Sequence, residues 1–194
     1  MEPSLLDNTG YLMSGAGILY LLNHSCTCCP DHNPYLEISD FNPENISSVS
    51  LDISIGRYLW EFKDKAVPFF DSAIHQIKEF LGEFTTKYDI VTDFDGKLII
   101  HKDQFFLLEV LEEIHFNRHV SGQILGKSSI GRLGLIIQTA SIINPMQMQK
   151  LVLEIKNISP ITLVFHYGMP IAQIQFYFFQ NPIEKHYQQY GTFK

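Results

Sequence analysis

The stretch GKSSIGRLGL, residues 126–135, concentrates groups that can hold an anion. Two cations and two hydroxyls stand beside its glycines: Lys127, Ser128, Ser129 and Arg132. Backbone N–H groups and hydroxyls can approach a phosphate closely at such a turn, and the cations offset its charge. We interpret the stretch as a candidate phosphate-binding loop, although composition alone favours an ordinary loop.

The stretch LVLEIKN, residues 151–157, follows it with the pattern of a strand. Leu151, Leu153 and Ile155 alternate with more polar positions, which predicts a strand with one buried face. Glu154 is the carboxylate at its centre. Close to a phosphate-binding loop, such a carboxylate could transfer protons, and the alternative is a solvated glutamate on an exposed strand face.

Length, composition and charge limit the number of domains and the classes of function. A chain of 194 residues, 45% hydrophobic and 13% aromatic, is long enough for one sizeable core and predicts a single globular domain. The formal net charge of −7 argues against a general nucleic-acid binder, because no broad basic face is available. The apolar stretch 16–22 is too short to span a bilayer, and no targeting segment is evident.

Three cysteines, Cys26, Cys28 and Cys29, stand in one cluster. Their odd number argues against a disulfide framework, so a reducing, cytoplasmic setting is expected. With His24 and His32, the spacing Cys26-x-x-Cys29 matches a zinc knuckle, but no second ligand pair follows at the usual distance. A loop of reduced thiols without metal is therefore preferred over a structural metal site.

The periodicity predicts mostly strands. The predicted helices are a short one over 18–22 and one over 71–84, capped by Asp71 or Ser72, and residues 23–48 are predicted as a long loop. The predicted strands are 49–55 with an extension over 58–62, 97–100 after an Asp95-Gly96 hairpin turn, 104–111, 122–125, 135–138, 151–157, 161–166 and 171–179. Many short strands with few helices indicate an antiparallel barrel or a jelly-roll-like domain.

Five ordered motifs resemble the dCTP deaminases of the trimeric dUTPase-like superfamily. They are SVSLDISIG (48–56), GKSSIGRLGL (126–135), SIINP (141–145), LVLEIKNISP (151–160) and HYGMPIAQIQF (166–176). Downstream, Lys185, Gln189 and Gly191 keep the spacing of the family's C-terminal Lys, Gln and Gly. The resemblance runs from about residue 45 to residue 191 and leaves residues 1–44 unexplained.

The resemblance implies a fold and an assembly. The expected fold is mainly β, a dUTPase-like β-clip or distorted jelly-roll barrel with one or two short helices. The expected assembly is a homotrimer whose sites lie between subunits. Residues 1–194 would form one domain, with a divergent segment over 1–44 and a C-terminal tail over 181–194 that is either disordered or a lid over the ligand.

The resemblance also implies a reaction. A deoxynucleoside triphosphate, dCTP, would bind with Mg²⁺ and lose its cytosine amino group by hydrolysis to dUTP without zinc. The chain lacks the His-x-Glu and Pro-Cys-x-x-Cys motifs of zinc deaminases. The implied catalytic groups are Glu154 as general base and acid, Arg132, Ser128 and the backbone carbonyl of Ala140. The implied substrate-binding residues are Lys127, Ser128, Ser129, Arg132, Asn144, Val152, Leu153, Gln173, Lys185 and Gln189.

Two alternatives stay open beside this dUTP-forming activity. A dUTPase, or a bifunctional enzyme that forms dUMP, would need a carboxylate where the chain has Asn144, and an amide cannot accept a proton in its place. A weakly active or inactive nucleotide-binding homologue is the second alternative, because the chain departs from the family pattern. Lys127 replaces an Arg, which gives up a bidentate fork for a point charge. Met146 and Gln149 replace the glycines of the family's Pro-Gly-x-x-Gly turn.

Overall fold

The structure is a computed structural model that describes residues 10–27, 33–63, 69–138 and 141–183. The strands are β1 Gly10–Leu12, β2 Leu36–Ser39, β3 Leu51–Phe62, β4 Thr85–Asp89, β5 Lys97–Ile100, β6 Phe105–Phe116, β7 Val120–Gly126, β8 Leu135–Gln138, β9 Ile142–Ile143, β10 Met148–Asn157, β11 Leu163–His166 and β12 Pro170–Phe179. The helices are α1 Gly15–Asn23, α2 Ile77–Phe84, the single turns α3 Ile90–Asp93 and α4 Ser128–Gly131, and a 3-10 turn over Pro43–Asn45.

Ten strands form one antiparallel sheet in the order β8-β10-β6-β3-β12-β7-β9. At its margins β1 pairs with β12, β2 with β6 and β4 with β3, while β5 and β11 form a separate two-stranded sheet. This architecture confirms the mainly β prediction, and two helices of eight and nine residues agree with the expected helix content. Among the described residues, no helix is long and apolar enough to cross a membrane.

Period-two alternation builds the core. On β6 the apolar residues at every second position are buried, among them Phe106, Leu108 and Val110. On β10 the predicted inward residues Leu151, Leu153 and Ile155 are likewise buried. The strands therefore turn one face to a shared core and leave the alternate face partly open.

Gly56 lies where β3 changes its pairing partners. A Cβ at this position would lie 2.4 Å from the carbonyl oxygen of Glu109 and 2.6 Å from the carbonyl carbon of Val110, so only glycine permits this close approach to β6. The register of β3 against β6 shifts between Ile55 and Leu59, just past this residue. The first part of β3 pairs with β12 and the last part with β4.

Three elements differ from the sequence predictions. The helix predicted over 71–84 begins only at Ile77, because Asp71 accepts a hydrogen bond from the Ala73 N–H (2.8 Å) and closes a separate turn ahead of it. The helix near 18–22 is longer, since Ser14 caps it by accepting from the Gly17 N–H at 3.2 Å. The loop predicted over 23–48 contains β2 and the 3-10 turn.

The turn predicted at Asp95-Gly96 is present, but the prediction that it joins two strands as a hairpin is wrong. Both residues have the positive φ that such a turn needs, 54° and 73°. However, the turn follows helix α3 and not a strand, because Asp89 caps residues 90–93 by accepting from the N–H groups of Val91 and Thr92. A local helix cap thus overrides the hairpin signal.

Candidate active site

The predicted phosphate-binding loop joins β7 to β8. Lys127 follows the last residue of β7, and its carbonyl accepts the N–H groups of Ile130 (3.1 Å) and Gly131 (2.9 Å), which closes the turn of α4. Ile130 is buried and anchors this turn in the core. Ser128, Ser129 and Arg132 are exposed around it. The loop is therefore a fixed turn that presents two hydroxyls and a guanidinium to solvent.

Lys127 is held by an acidic partner from another strand. Its ammonium group forms an ion pair with the carboxylate of Asp52 on β3, and both side chains are 23% exposed. An ion pair at this exposure contributes little to stability but fixes where the ammonium group lies. The point charge that the loop offers to a phosphate is thus shared with a carboxylate.

Gln173 joins the same group. It lies opposite Asp52 and Leu125 in the sheet, accepts a hydrogen bond from the Ser50 hydroxyl (2.9 Å) and donates to the carbonyl of Gly126 (3.3 Å). The structure therefore brings the predicted residues Lys127 and Gln173 together beside the loop. Asp52 and Ser50 were not predicted as site residues, although both belong to the quoted motif SVSLDISIG.

Glu154 occupies the middle of β10, opposite Leu107 of β6 and Gln138 of β8. Its side chain is half-buried, and among the described residues its buried Oε2 atom has no hydrogen-bond partner. Burial raises the pKa of this carboxyl group above its ordinary value, an effect that a backbone hydrogen bond offsets in part. A carboxyl group with a raised pKa and a buried, unpartnered oxygen is suited to accept and return a proton.

Within one chain the carboxylate and the loop stand at opposite ends of β8. Arg132 lies three positions before the first residue of β8, whereas Glu154 pairs with its last residue, and a four-residue strand spans roughly 10 Å. No hydrogen bond or ion pair in the described part of the chain joins Glu154 to Ser128 or Arg132. The predicted site between subunits therefore remains a prediction.

Val152 and Leu153 precede Glu154 on β10. Leu153 is fully buried and Val152 is half-buried, so Leu153 belongs to the core by its side chain. The pairing of β8 with β10 runs from Asn157 only as far as Glu154. Among the described strands, β6 is therefore the one neighbour of β10 at these two residues. That Val152 and Leu153 bind substrate through their backbone groups stays a prediction.

Asn144 lies in a turn away from Lys127. It follows β9, which pairs with β7 at Gly122 and Gln123, several residues before the loop begins. The carbonyl of Asn144 accepts the Gln147 N–H at 3.3 Å, and Met146 has a φ of 63°. Met146 thus has a left-handed backbone, which a glycine adopts freely but which costs a residue with a side chain about 1 kcal/mol. Ala140, Lys185 and Gln189 lie outside the described residues.

The fold of this chain resembles that of a solved structure. The structure matches the crystal structure of 2'-deoxycytidine 5'-triphosphate deaminase from Agrobacterium tumefaciens with a TM-score of 0.63 and 18% identity, over 88% of this chain. This chain spans 49% of that one, about half its length. At this identity the match establishes the fold, and it confirms the predicted dUTPase-like architecture.

Sequence comparison defines the family. The profile described as dCTP deaminase-like matches residues 31–179, so the chain belongs to the dCTP deaminase-like family. Two curated relatives are both named "dCTP deaminase, dUMP-forming". One, from Bifidobacterium longum strain DJO10A, is 28% identical over 81% of this chain and 79% of its own length. The other, from Corynebacterium glutamicum strain R, is 30% identical over 78% of this chain and 77% of its own.

Proposed function

We propose that this protein hydrolyses the amino group from the cytosine of dCTP, with Glu154 as the group that transfers protons. The single observation that carries the proposal is the raised pKa of Glu154 together with its buried, unpartnered oxygen. Glu154 takes a proton from the attacking water as the C4–O bond forms. It returns that proton to the amino group as the C–N bond breaks, so dCTP and water become dUTP and ammonia.

The exposed loop supplies the charge for binding and polarisation. In the proposal, Lys127, Ser128 and Ser129 hold the phosphates, while Arg132 and Ser128 position and polarise the reacting centre. Lys185 and Gln189 would reach the phosphates from the C-terminal segment, and the carbonyl of Ala140 would hold the water. Since Glu154 and Arg132 lie at opposite ends of β8, the proposed assembly is a homotrimer in which one subunit's carboxylate faces another subunit's loop.

Magnesium belongs to the proposal as an ion carried by the triphosphate. In the described residues no three His, Cys, Asp or Glu side chains converge to hold a metal. A small hard cation of this kind keeps several waters and binds mainly to phosphate oxygens, which fits the lone carboxylate of Asp52 beside the loop. When bound, magnesium would offset phosphate charge, while Lys127 and the two serines orient the triphosphate.

The product we propose is dUMP, the second step being hydrolysis of the α–β phosphoanhydride bond of dUTP with release of pyrophosphate. The names of the curated relatives support this product better than the dUTP expected from the sequence. Asn144 cannot serve as the base for that step. Asp52 is the described carboxylate that contacts the loop, so it is the residue to test for this second hydrolysis.

The experiment is to incubate the pure protein with dCTP and Mg²⁺ and to separate dCTP, dUTP and dUMP while measuring ammonia. Ammonia with dUMP is expected, and ammonia with dUTP alone would restrict the proposal to deamination. Glu154→Gln should abolish ammonia release while nucleotide still raises the melting temperature. Turnover retained by Glu154→Gln would refute the mechanism, and absence of ammonia from the wild type would refute the activity.

A second candidate function is nucleotide binding without turnover. The ion pair between Lys127 and Asp52 favours it, because the carboxylate competes with phosphate for the ammonium group. This candidate predicts that dCTP raises the melting temperature of the wild type while ammonia and dUMP stay absent. Ammonia release at a rate that depends on Glu154 would exclude it.

A further inference from the structure

A leucine beside Glu154 is buried on the face of the sheet that points away from the core. On β6 the side chains of Phe106, Leu108 and Val110 point to the core, and Leu107 points to the opposite face. Leu107 is nevertheless only 6% exposed. Because the second face of an antiparallel sheet is commonly open to water, other side chains of this face must cover Leu107.

The register of the strands places Leu107 between Glu154 and a tryptophan. Leu107 is directly opposite Glu154 of β10 on one side and directly opposite Trp60 of β3 on the other. In the strand beyond, Lys87 of β4 is opposite Trp60. Directly opposed residues have their side chains on the same face, with Cβ atoms about 4.5–5.5 Å apart. Lys87, Trp60, Leu107 and Glu154 therefore form one row across four strands, which we call the Glu154 row.

The far end of the Glu154 row is held by a cation. The ammonium group of Lys87 lies 5.1 Å from the centre of the Trp60 ring and 3.7 Å from the centre of the Tyr58 ring. Such a cation is attracted to the aromatic faces by about 0.5–1 kcal/mol at an exposed site. Trp60 is half-buried. Its ring is therefore held beside Leu107, on the side remote from Glu154, where it can keep water from the leucine.

Glu154 has an apolar neighbour where a hydrogen-bond donor would satisfy it. Its Oε2 atom is buried, and no described group donates a hydrogen bond to that atom. The residue opposite it on β6 is Leu107, whose side chain has no donor. Burial raises the pKa of the Glu154 carboxyl group, and the influence that lowers it is a backbone hydrogen bond. On the side of β6 the carboxyl group therefore meets carbon atoms.

Charged groups on the same face do not pair with Glu154. The titratable residues on this face of β10 and β6 are Lys150, Lys156, Glu109, Glu113 and His115. The other neighbour of Glu154, β8, has none. Lys150 pairs with Glu109 at 3.8 Å and His115 with Glu113 at 3.2 Å, and no ion pair in the described part of the chain includes Glu154. The environment of Glu154 within one chain is thus set by apolar cover more than by charge.

We propose that Leu107 is a positioning residue for the reaction: with Trp60 behind it, its side chain excludes water from the Glu154 carboxyl group and so suits that group to accept and return a proton. The inference rests on the proposed function, because it assigns a role in the step that Glu154 performs. Leu107 supplies no reacting group and acts only through Glu154. A polar side chain at position 107 would let water or a donor reach the carboxylate, favour its ionised form and make it a weaker base.

The experiment compares Leu107→Asn, which keeps the branched shape of the side chain but is polar, with the wild-type full-length protein. The Glu154 carboxyl carbon is titrated by NMR without nucleotide, its signal being assigned by its loss in Glu154→Gln. Leu107→Asn should raise the acid dissociation constant of Glu154 about tenfold. The acid limb of the pH profile for ammonia release should move down by the same amount, and the plateau rate should fall roughly 3- to 10-fold. Leu107→Met, which stays apolar, should restore wild-type values. Leu111→Asn is the control, because Leu111 lies on the same face of β6 but is not opposite Glu154, and it should change neither readout.

A second variant tests the inference if Leu107→Asn does not fold. Trp60→Ala removes a half-buried side chain and should shift the titration of Glu154 in the same direction by a smaller amount. The titration needs no nucleotide, so a wild type that releases no ammonia would refute the proposed function while the effect of Leu107 on Glu154 is still measured. An unchanged titration of Glu154 in folded Leu107→Asn or, failing that, in Trp60→Ala would overturn the inference and leave deamination by Glu154 untouched. A fall in rate without a shift in the titration would overturn it as well, because it would show a merely structural role.

Discussion

Replacing Glu154 with glutamine should lower the rate of deamination and raise the free energy of unfolding. Burial raises the pKa of this carboxyl group, so the folded protein holds its proton to higher pH than the unfolded chain does. Between those two pKa values the folded state binds more protons, and the stability that Glu154 contributes is therefore complete at low pH and is lost as pH rises. Glutamine carries no charge, so the stability of the Glu154→Gln variant should not fall with rising pH for this reason.

The structure sets the size of the effect. The Oε2 atom of Glu154 is buried without a partner among the described residues, and an unsatisfied buried acceptor costs about 1–3 kcal/mol. Glutamine would leave a polar atom in the same place and relieves only the desolvation of the charge, so we expect Glu154→Gln to gain about 1 kcal/mol near neutral pH, or roughly 2–4 °C in melting temperature. Deamination should fall by about 100-fold or more, the contribution of a general base.

The assay combines thermal unfolding at fixed protein concentration, from about pH 5 to about pH 8, with ammonia release from dCTP. The gain in melting temperature should grow with pH. Glu109→Gln is the matched control, because burial also raises the pKa of Glu109 and it lies on β6 beside β10. It should flatten the pH dependence while ammonia release continues. A Glu154→Gln variant that is less stable than the wild type across this range would refute the reasoning about the buried charge.

Three further substitutions and one mixture of two variants test individual residues of the fold and of the proposed site. Lys127→Met should raise KM for dCTP roughly 10- to 100-fold with a smaller change in kcat, and an unchanged KM would remove Lys127 from phosphate binding. Asp52→Asn should lower the proportion of dUMP among the products and let dUTP accumulate, and an unchanged ratio would assign that hydrolysis elsewhere. Asn157→Ala should cost about 3 kcal/mol in chemical denaturation, because it removes side-chain hydrogen bonds to Ile100, Ile161 and Ser159 in a fully buried site; equal stability would contradict this. Co-refolding equal amounts of Glu154→Gln and Ser128→Ala chains should restore about a quarter of wild-type activity if sites form between subunits, and none if each chain builds its own.

Local patterns predicted the parts of the fold that local forces determine. The alternation in LVLEIKN predicts the inward face of β10, because every second side chain of a strand points to the same face of the sheet. The start of α2 was misplaced by six residues because Asp71 can cap either a helix or a separate turn, and its side chain takes the turn. Strand β4 was missed since TTKYD has no alternation of apolar residues.

The site was predictable where a motif carried it and not where the contact spans the chain. The resemblance located Lys127 and Gln173, which the structure brings together, and the quoted motif also contained Asp52. No local signal pairs Asp52 with Lys127, because they are joined only after β3, β12 and β7 lie side by side. The buried contact between Cys26 Sγ and His119 Nε2, 3.3 Å apart, is of the same kind, because 93 positions separate the two residues in sequence.

The separation of Glu154 from the loop has a consequence for how such a site can work. The loop is rigid, exposed and cationic, whereas the carboxylate sits on a central strand with a buried oxygen that no described group satisfies. A carboxylate placed next to Arg132 would have its pKa lowered and would be a weak base. In the proposed trimer, keeping the two apart within a chain would leave the pKa of Glu154 raised, and the loop of another subunit would place a cation near the charge that develops in the reaction.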